Sequence, residues 1–435
     1  MNFVSTRGGV PACTIEGALA AGLAPDGGLY VPERIPEILF DAPPPTLADT
    51  ARRLLAPYFA GSPLQACLAE LCTRAYDFDA PLRPLIGPDD FMLELFHGPT
   101  AAFKDYAARF LAEALAALRD PATQITTTIL VATSGDTGAA VAAAFDGRPG
   151  FEVVILYPDG RVSPRQAHGL ACWSDNVRTF RVPAHFDDCQ RLARQALADS
   201  DLRAGRVLTS ANSISLGRLL PQAAYYAHVA MHHRAAHGVA LNFVIPTGNL
   251  GNASAAVLAR RMGAPVGDIV LACNANDALP RYFAGADYTP RPAVATLANA
   301  MDVGAPSNFE RLRHWHRDDA DLRGAVGARG VDDATIAATI RAAPARHGVV
   351  PCPHTATALH LLERIRDAGD KRAWAVVATA HPAKFESIVE PLVGHAVPPP
   401  PGLAECLRRP ARSWVLANEY PALREALAGA HAERF

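Results

Sequence analysis

TTTILVATSGDTGAAVAAAF (residues 126–145) changes pattern in the middle. A run of Thr, Ile, Leu and Val suited to a buried strand stops at a glycine-containing turn, and an alanine-rich helical stretch follows. The same change recurs along the chain. FEVVILY (151–157), LNFVI (241–245), DIVLAC (268–273) and AWAVVAT (373–379) are apolar runs separated by glycine loops and helical patterns. Strands that stay apolar on both faces, with helices between them, imply α/β architecture: parallel sheets flanked by helices. In such sheets ligands gather at the carboxyl ends of the strands, so the loops at those ends become the places to look for chemistry.

The chain has 435 residues, 50% of them hydrophobic, which is more than one core usually serves; two or three lobes are expected. The first ninety residues are rich in turns and prolines, as in GLAPDGGLYVPERIP, and hold helical patterns without a βα unit. They read as an N-terminal lobe. HAVPPPPG (395–402) followed by a short amphipathic stretch reads as a closing strap. A net charge of −2 gives no electrostatic footprint for nucleic acid or an anionic membrane, and no segment is apolar for long enough to span a bilayer. The expectation is a cytoplasmic protein acting on a small molecule. Eight scattered cysteines without a CxxC pair fit reduced thiols, and His314 and His316 in HWH lack neighbouring ligands, so no metal is expected.

Of the 41 basic residues only Lys104, Lys371 and Lys384 are lysine. Arginine stays protonated at any ordinary pH, whereas a desolvated lysine can lose its proton and act as a base or form a Schiff base. Lys104 lies in HGPTAAFKDY (97–106), where Thr100 is a plausible helix N-cap and Phe103, Ala107, Phe110, Leu111, Ala114 and Leu118 mark one helical face. In the first turn of a helix the unpaired N–H groups disfavour a cation, so the neutral amine is favoured there.

Three strand ends carry further candidates. TSGDTG (133–138) offers Thr133, Ser134, Thr137 and helix-start N–H groups to a carboxylate or a phosphate. PTGNLGN (246–252) is a second such cradle; neither GxxxxGK[ST] nor GxGxxG is present, so nucleotide fingerprints are not met. Thr379 in VVATAHPAKF could bring a neutral hydroxyl to the same crevice, with Lys384 just beyond, a site residue or one side of a salt bridge. LTSANSISLGRLLPQ (208–222) adds Asn212, Ser213, Ser215 and Arg218. Two anion cradles and a first-turn lysine suit a cofactor with both an aldehyde and a phosphate, namely pyridoxal 5'-phosphate.

The chain resembles the threonine synthase family, fold type II pyridoxal-phosphate enzymes with the tryptophan synthase β-subunit type of fold. In order, it carries STRGG, GLAPDGGLYVP, ELFHGPTAAFKDYAARF, TSGDTGAAVA, SANSIS with RLLPQ, TGNLGN, ANDALPRYF, LANAMDVGAPSN, PHTATA and TAHPAKF. The resemblance implies an N-terminal lobe (1–90), a large cofactor-binding domain (91–130 and 235–435) and a smaller mobile substrate-binding domain (131–234). It implies that Lys104 holds the cofactor covalently, that Gly248, Asn249, Leu250, Gly251 and Asn252 hold its phosphate, and that Thr379 meets its pyridine nitrogen. Thr133, Ser134, Asp136 and Thr137 would take the substrate carboxylate; Arg161, Ser163, Asn212, Ser213 and Arg218 would take the substrate phosphate. The implied lyase reaction converts O-phospho-L-homoserine and water to L-threonine and phosphate.

Some positions depart from the family pattern. Asn252 replaces a common acid, Leu250 a common Phe, and Cys352 the acid that often precedes PHTA, while RVSPRQAHGLACWSDNV (161–177) lacks the usual run after SPxQ. A diverged relative using another γ-substituted amino acid or another nucleophile, a non-catalytic binding protein and a nucleotide-dependent enzyme are the alternative readings, and monomer or dimer is left open.

Overall fold

The structure is a computed structural model describing residues 1–429 except 41, 121, 124 and 204–206. Three sheets form. The largest has the order β11-β10-β9-β12-β4-β3, built from β3 (Leu82–Pro84), β4 (Asp90–Glu94), β9 (Leu241–Pro246), β10 (Val266–Cys273), β11 (Gly327–Gly330) and β12 (Trp374–Ala378). All neighbours are parallel except the edge strand β3. A second, wholly parallel sheet has the order β13-β7-β6-β5-β8, from β5 (Thr127–Ala132), β6 (Phe151–Pro158), β7 (Val177–Val182), β8 (Val207–Ser210) and β13 (Trp414–Val415). In the N-terminal region β1 (Phe3–Ser5) pairs antiparallel with β2 (Tyr30–Pro32).

The apolar strand runs are explained by where their faces go. Phe243, Ile245, Ala375 and Val377 enter one core cluster, while their neighbours Val244, Val376 and Ala378 enter another, so β9 and β12 bury both faces. The smaller sheet does the same: Ile129, Val131, Val153 and Ile155 point into the first cluster, and Leu130, Val154 and Leu156 into a third. One core cluster thus lies against both larger sheets. Helices Leu47–Phe59 and Leu68–Ala75 of the N-terminal region pack against helices Ala223–His237 and Lys104–Leu118 and join that same cluster.

Packing crosses the expected domain boundaries in two places. β13 pairs with β7, Trp414 opposite Phe180, and Leu416, Leu423 and Leu427 join the third cluster. The last segment therefore completes the smaller sheet instead of belonging with residues 235–435: β13 extends the sheet beyond β7, and helix Tyr420–Leu427 packs on helix Phe186–Ala198, which covers β5 and β6. Helix Ala223–His237, expected with the smaller domain, packs on helix Gly251–Arg261 beside β9.

Candidate active site

Lys104 is the first residue of helix Lys104–Leu118, but Thr100 is not its cap. Phe103 holds the N-cap position, and the Thr100 N–H and hydroxyl both donate to the fully buried Asp105 carboxylate, at 2.9 and 2.6 Å. Asp105 reaches back and closes the turn that a local pattern would have closed with Thr100. Parallel pairing of β4 with β12 delivers this turn beside Thr379: Phe103 N–H donates to the Thr379 carbonyl at 2.9 Å and His381 N–H to the Ala101 carbonyl at 3.0 Å. Burial pushes Lys104 down to about 8, with Arg218 and Lys384 acting in the same direction and Asp136 opposing. The shift is in the direction expected of a first-turn lysine, but its main cause is desolvation and not the helix start. Among the described residues its Nζ makes no hydrogen bond.

At the end of β5, Thr133 Oγ1 accepts from the N–H groups of Gly135 and Gly138, both at 3.0 Å, and so shapes the loop. Gly135 has φ +134°, and a Cβ there would lie 2.7 Å from Gln166 Nε2. Helix Asp136–Phe145 begins immediately, its first N–H groups free of intrahelical partners. Burial by itself would raise the Asp136 carboxyl, but Lys384, Lys104 and His354 hold it well below the usual carboxylate range. Lys384 is a buried partner, its Nζ 2.8 Å from Asp136 Oδ1.

The PTGNLGN loop follows β9. A Cβ on Gly248 would lie 2.7 Å from Met301 Cα, so only glycine lets the two backbones approach. Leu250 is left-handed at φ +63°, a strain of about 1–3 kcal/mol for a residue with a side chain. Asn249 braces the loop, donating to Ser213 Oγ at 2.7 Å and accepting from Ser307 N–H at 2.6 Å. Asn252 Oδ1 accepts from the hydroxyls of Tyr225 (2.6 Å) and Tyr226 (3.0 Å), leaving its buried Nδ2, like Ser254 Oγ, without a partner among the described residues. Free donors at the start of helix Gly251–Arg261 suit an anion.

These loops enclose one cavity of about 800 Å³. Lys104, Thr133, Ser134, Asp136, Thr137, Asn212, Ser213, Arg218, the stretch from Gly248 to Asn252, and Thr379 all line it. Arg161 and Ser163 do not. Arg161 is exposed on the turn after β6, and Ser163 is spent capping helix Pro164–Ala171 while its Oγ donates to the Lys384 carbonyl at 2.6 Å. Neither residue reaches the cavity, because the helix begun by Ser163 turns that segment toward Lys384. Arg218 is almost fully buried; its guanidinium donates to the Ala211 carbonyl at 2.6 Å, and its Nε has no partner among the described residues.

His354, in the PHTATA stretch, also lines the cavity. Burial pushes it down to about 4, with Lys104 and Lys384 lowering it further and Asp136 opposing, and its Nε2 accepts from Ala300 N–H at 3.1 Å. Its Nδ1 meets Cys352 Sγ at 3.7 Å, but Ala300, Lys104 and Asp136, which tie it to the cavity, come from distant segments. Cys352, in place of an acid, caps helix Pro353–Asp367 by accepting from Thr355 N–H at 3.4 Å. Among the described residues no group of three or more His, Cys, Asp or Glu could hold a metal.

A desolvated amine, an anion cradle and a neutral hydroxyl thus face one cavity, as an aldehyde, a phosphate and a ring nitrogen on one molecule require. The family described as Pyridoxal-phosphate dependent enzyme matches residues 90–382, that described as Threonine synthase N terminus matches 2–76, and that described as Threonine synthase, C-terminal matches 355–427. A threonine synthase of Haemophilus influenzae is 37% identical over 430 residues, covering 98% of this chain and 99% of the relative. The crystal structure of threonine synthase from Escherichia coli superposes with a TM-score of 0.89 at 35% identity, covering 99% of this chain and 100% of that one. Pyridoxal-phosphate-bound threonine synthase from Brucella melitensis gives 0.88 at 33% identity, over 99% of this chain and 100% of that one. Matched from its first strand to its last helix, the chain belongs to the threonine synthase family of pyridoxal-phosphate-dependent enzymes.

Proposed function

We propose that the protein is a lyase that converts O-phospho-L-homoserine and water to L-threonine and phosphate, using pyridoxal 5'-phosphate. The observation that carries this reading is the Lys104 amine, its proton affinity lowered by burial to about 8, facing the PTGNLGN cradle and Thr379 across one cavity. When bound, the cofactor supplies an electron sink conjugated to the substrate nitrogen, which weakens the bonds to hydrogen at Cα and Cβ and lets phosphate leave from Cγ.

Lys104 Nζ would hold the cofactor aldehyde. With substrate bound, the Lys104 amine, lowered by burial to about 8, would take the proton from Cα and move protons at Cβ and Cγ. Helix-start N–H groups from Gly251 onward, with Asn252 Nδ2, would hold the cofactor phosphate. Thr379, whose hydroxyl makes no hydrogen bond among the described residues and lines the cavity, would meet the ring nitrogen, and a hydroxyl there would leave that nitrogen largely unprotonated. Because Asp136 is already ion-paired, what it offers the substrate carboxylate is its backbone N–H, beside the hydroxyls of Ser134 and Thr137. Arg218, with Asn212 and Ser213, takes the substrate phosphate.

Water must be excluded until phosphate has left and admitted afterwards, which assigns a closing motion to the smaller sheet with its loops. Among the described residues no helix is long and apolar enough to cross a membrane, and with a near-zero net charge this supports work in the cytoplasm. The test is phosphate release from O-phospho-L-homoserine by the yellow holoenzyme, with the amino-acid product identified by mass and Lys104→Ala run beside it. Threonine equal to phosphate, abolished in the variant, is expected; bound cofactor without threonine would overturn the substrate assignment alone.

A further inference from the structure

The short turn Pro382–Phe385 after β12 carries a lysine that is 3% exposed, Lys384. Its Nζ lies 2.8 Å from Asp136 Oδ1 and donates to the Thr100 carbonyl at 2.8 Å. It does not line the cavity, whereas Asp136 does. The surroundings lock this bridge in place. Ser163 Oγ donates to the Lys384 carbonyl at 2.6 Å, the Arg165 guanidinium to the Ala383 carbonyl at 2.8 Å, and Arg165 N–H to Glu386 Oε1 at 3.1 Å. Gln166 Nε2 reaches Asp136 Oδ1 at 3.4 Å. One ammonium therefore joins the substrate loop of the smaller sheet to the turn of the larger sheet that presents Lys104.

A buried carboxylate at the cavity wall favours the protonated form of a nearby nitrogen, and pairing it with a cation cancels that pull. The charged or titratable groups acting on Lys104 are Asp136, Arg218 and Lys384, and His354 senses Lys104 in turn. Those facing Lys384 are Lys104, Asp105, Asp136, His354, His381 and Cys406. We propose that Lys384 is a positioning residue for the reaction: by holding Asp136 in a buried ion pair anchored on the Thr100 carbonyl, it clamps the TSGDTG loop to the Lys104 turn and screens the Lys104 nitrogen from the carboxylate.

The inference rests on Lys104 carrying the cofactor, but it needs no particular substrate. The test is a pH titration of the holoenzyme's visible absorbance, which reports the proton on the nitrogen joining Lys104 to pyridoxal phosphate and requires no turnover. In Lys384→Met the midpoint should rise by roughly one pH unit, about a tenfold change in the protonation ratio. Adding Asp136→Asn should return it toward the parent value, and Asp136→Asn by itself should lower it, which keeps the test open if Lys384→Met does not fold. A midpoint unchanged in the folded single variants, or a rise that Asp136→Asn fails to reverse, would overturn the proposal. Failure of the threonine assay with these shifts intact would count against the substrate reading only.

Discussion

At the scale of single residues the site turns on how burial treats charge. Lys104 is pushed down to about 8 by desolvation, so below that pH the freed amine carries a proton and cannot accept one, while above it the amine is ready. Turnover should therefore climb with pH through about 8 and level beyond it, measured as kcat against pH; a rate that falls over that span would assign the proton transfer to another group. Replacing the amine is more drastic. Lys104→Ala should lose the borohydride-sensitive visible absorbance and at least about 10³-fold in activity. Gly248→Ala makes a subtler change, since its Cβ would lie 2.7 Å from Met301 Cα and the cradle must open. Cofactor affinity, followed by absorbance on reconstitution, should fall by roughly tenfold, or about 1.4 kcal/mol.

Elements are held at the site by hydrogen bonds that reach out of them. The turn before helix Lys104–Leu118 is closed by Asp105, which accepts two hydrogen bonds from Thr100 and is fully buried. Asp105→Ala removes a charged acceptor for both donors and leaves the Thr100 N–H buried. Unfolding free energy should drop by roughly 2–3 kcal/mol, read from the urea midpoint at unchanged slope. The same turn hangs on β12 through the Thr379 carbonyl, so the variant should also weaken cofactor retention. A stable variant with normal cofactor content would show that β12 alone positions Lys104.

For the whole molecule, the chain's end matters to a sheet begun near residue 127. β13 and helix Tyr420–Leu427 add Leu416, Leu423 and Leu427 to the third core cluster, and Arg178 donates to the Ala426 carbonyl at 2.6 Å. Burying each such leucine contributes about 1.5–3 kcal/mol, so deleting residues 413–435 should lower Tm by roughly 5–10 °C. Calorimetry of the truncated chain checks this. An unchanged Tm would mean that the strap only rests on the smaller sheet.

The α/β class, the run of strands and the order of the loops were legible in the residues themselves, because continuous β-branched runs and glycine turns report burial and backbone geometry locally. Lys104 could be singled out for the same reason: its place in the first turn of a helix is a local property. Other features needed the fold. Thr100 reads as a cap until Asp105 is seen to take both its donors, and Ser163 reads as an anion ligand until it is found capping its own helix. Lys384, 284 positions from Thr100, reads as a surface charge or an undefined salt bridge until β12 and β5 bring it to Asp136. His354 is tied to the cavity by Ala300, Lys104 and Asp136, all from distant segments. Such partners are chosen by strand order and packing over the length of the chain, so tertiary structure decided which polar groups face the cavity and which are consumed in holding it.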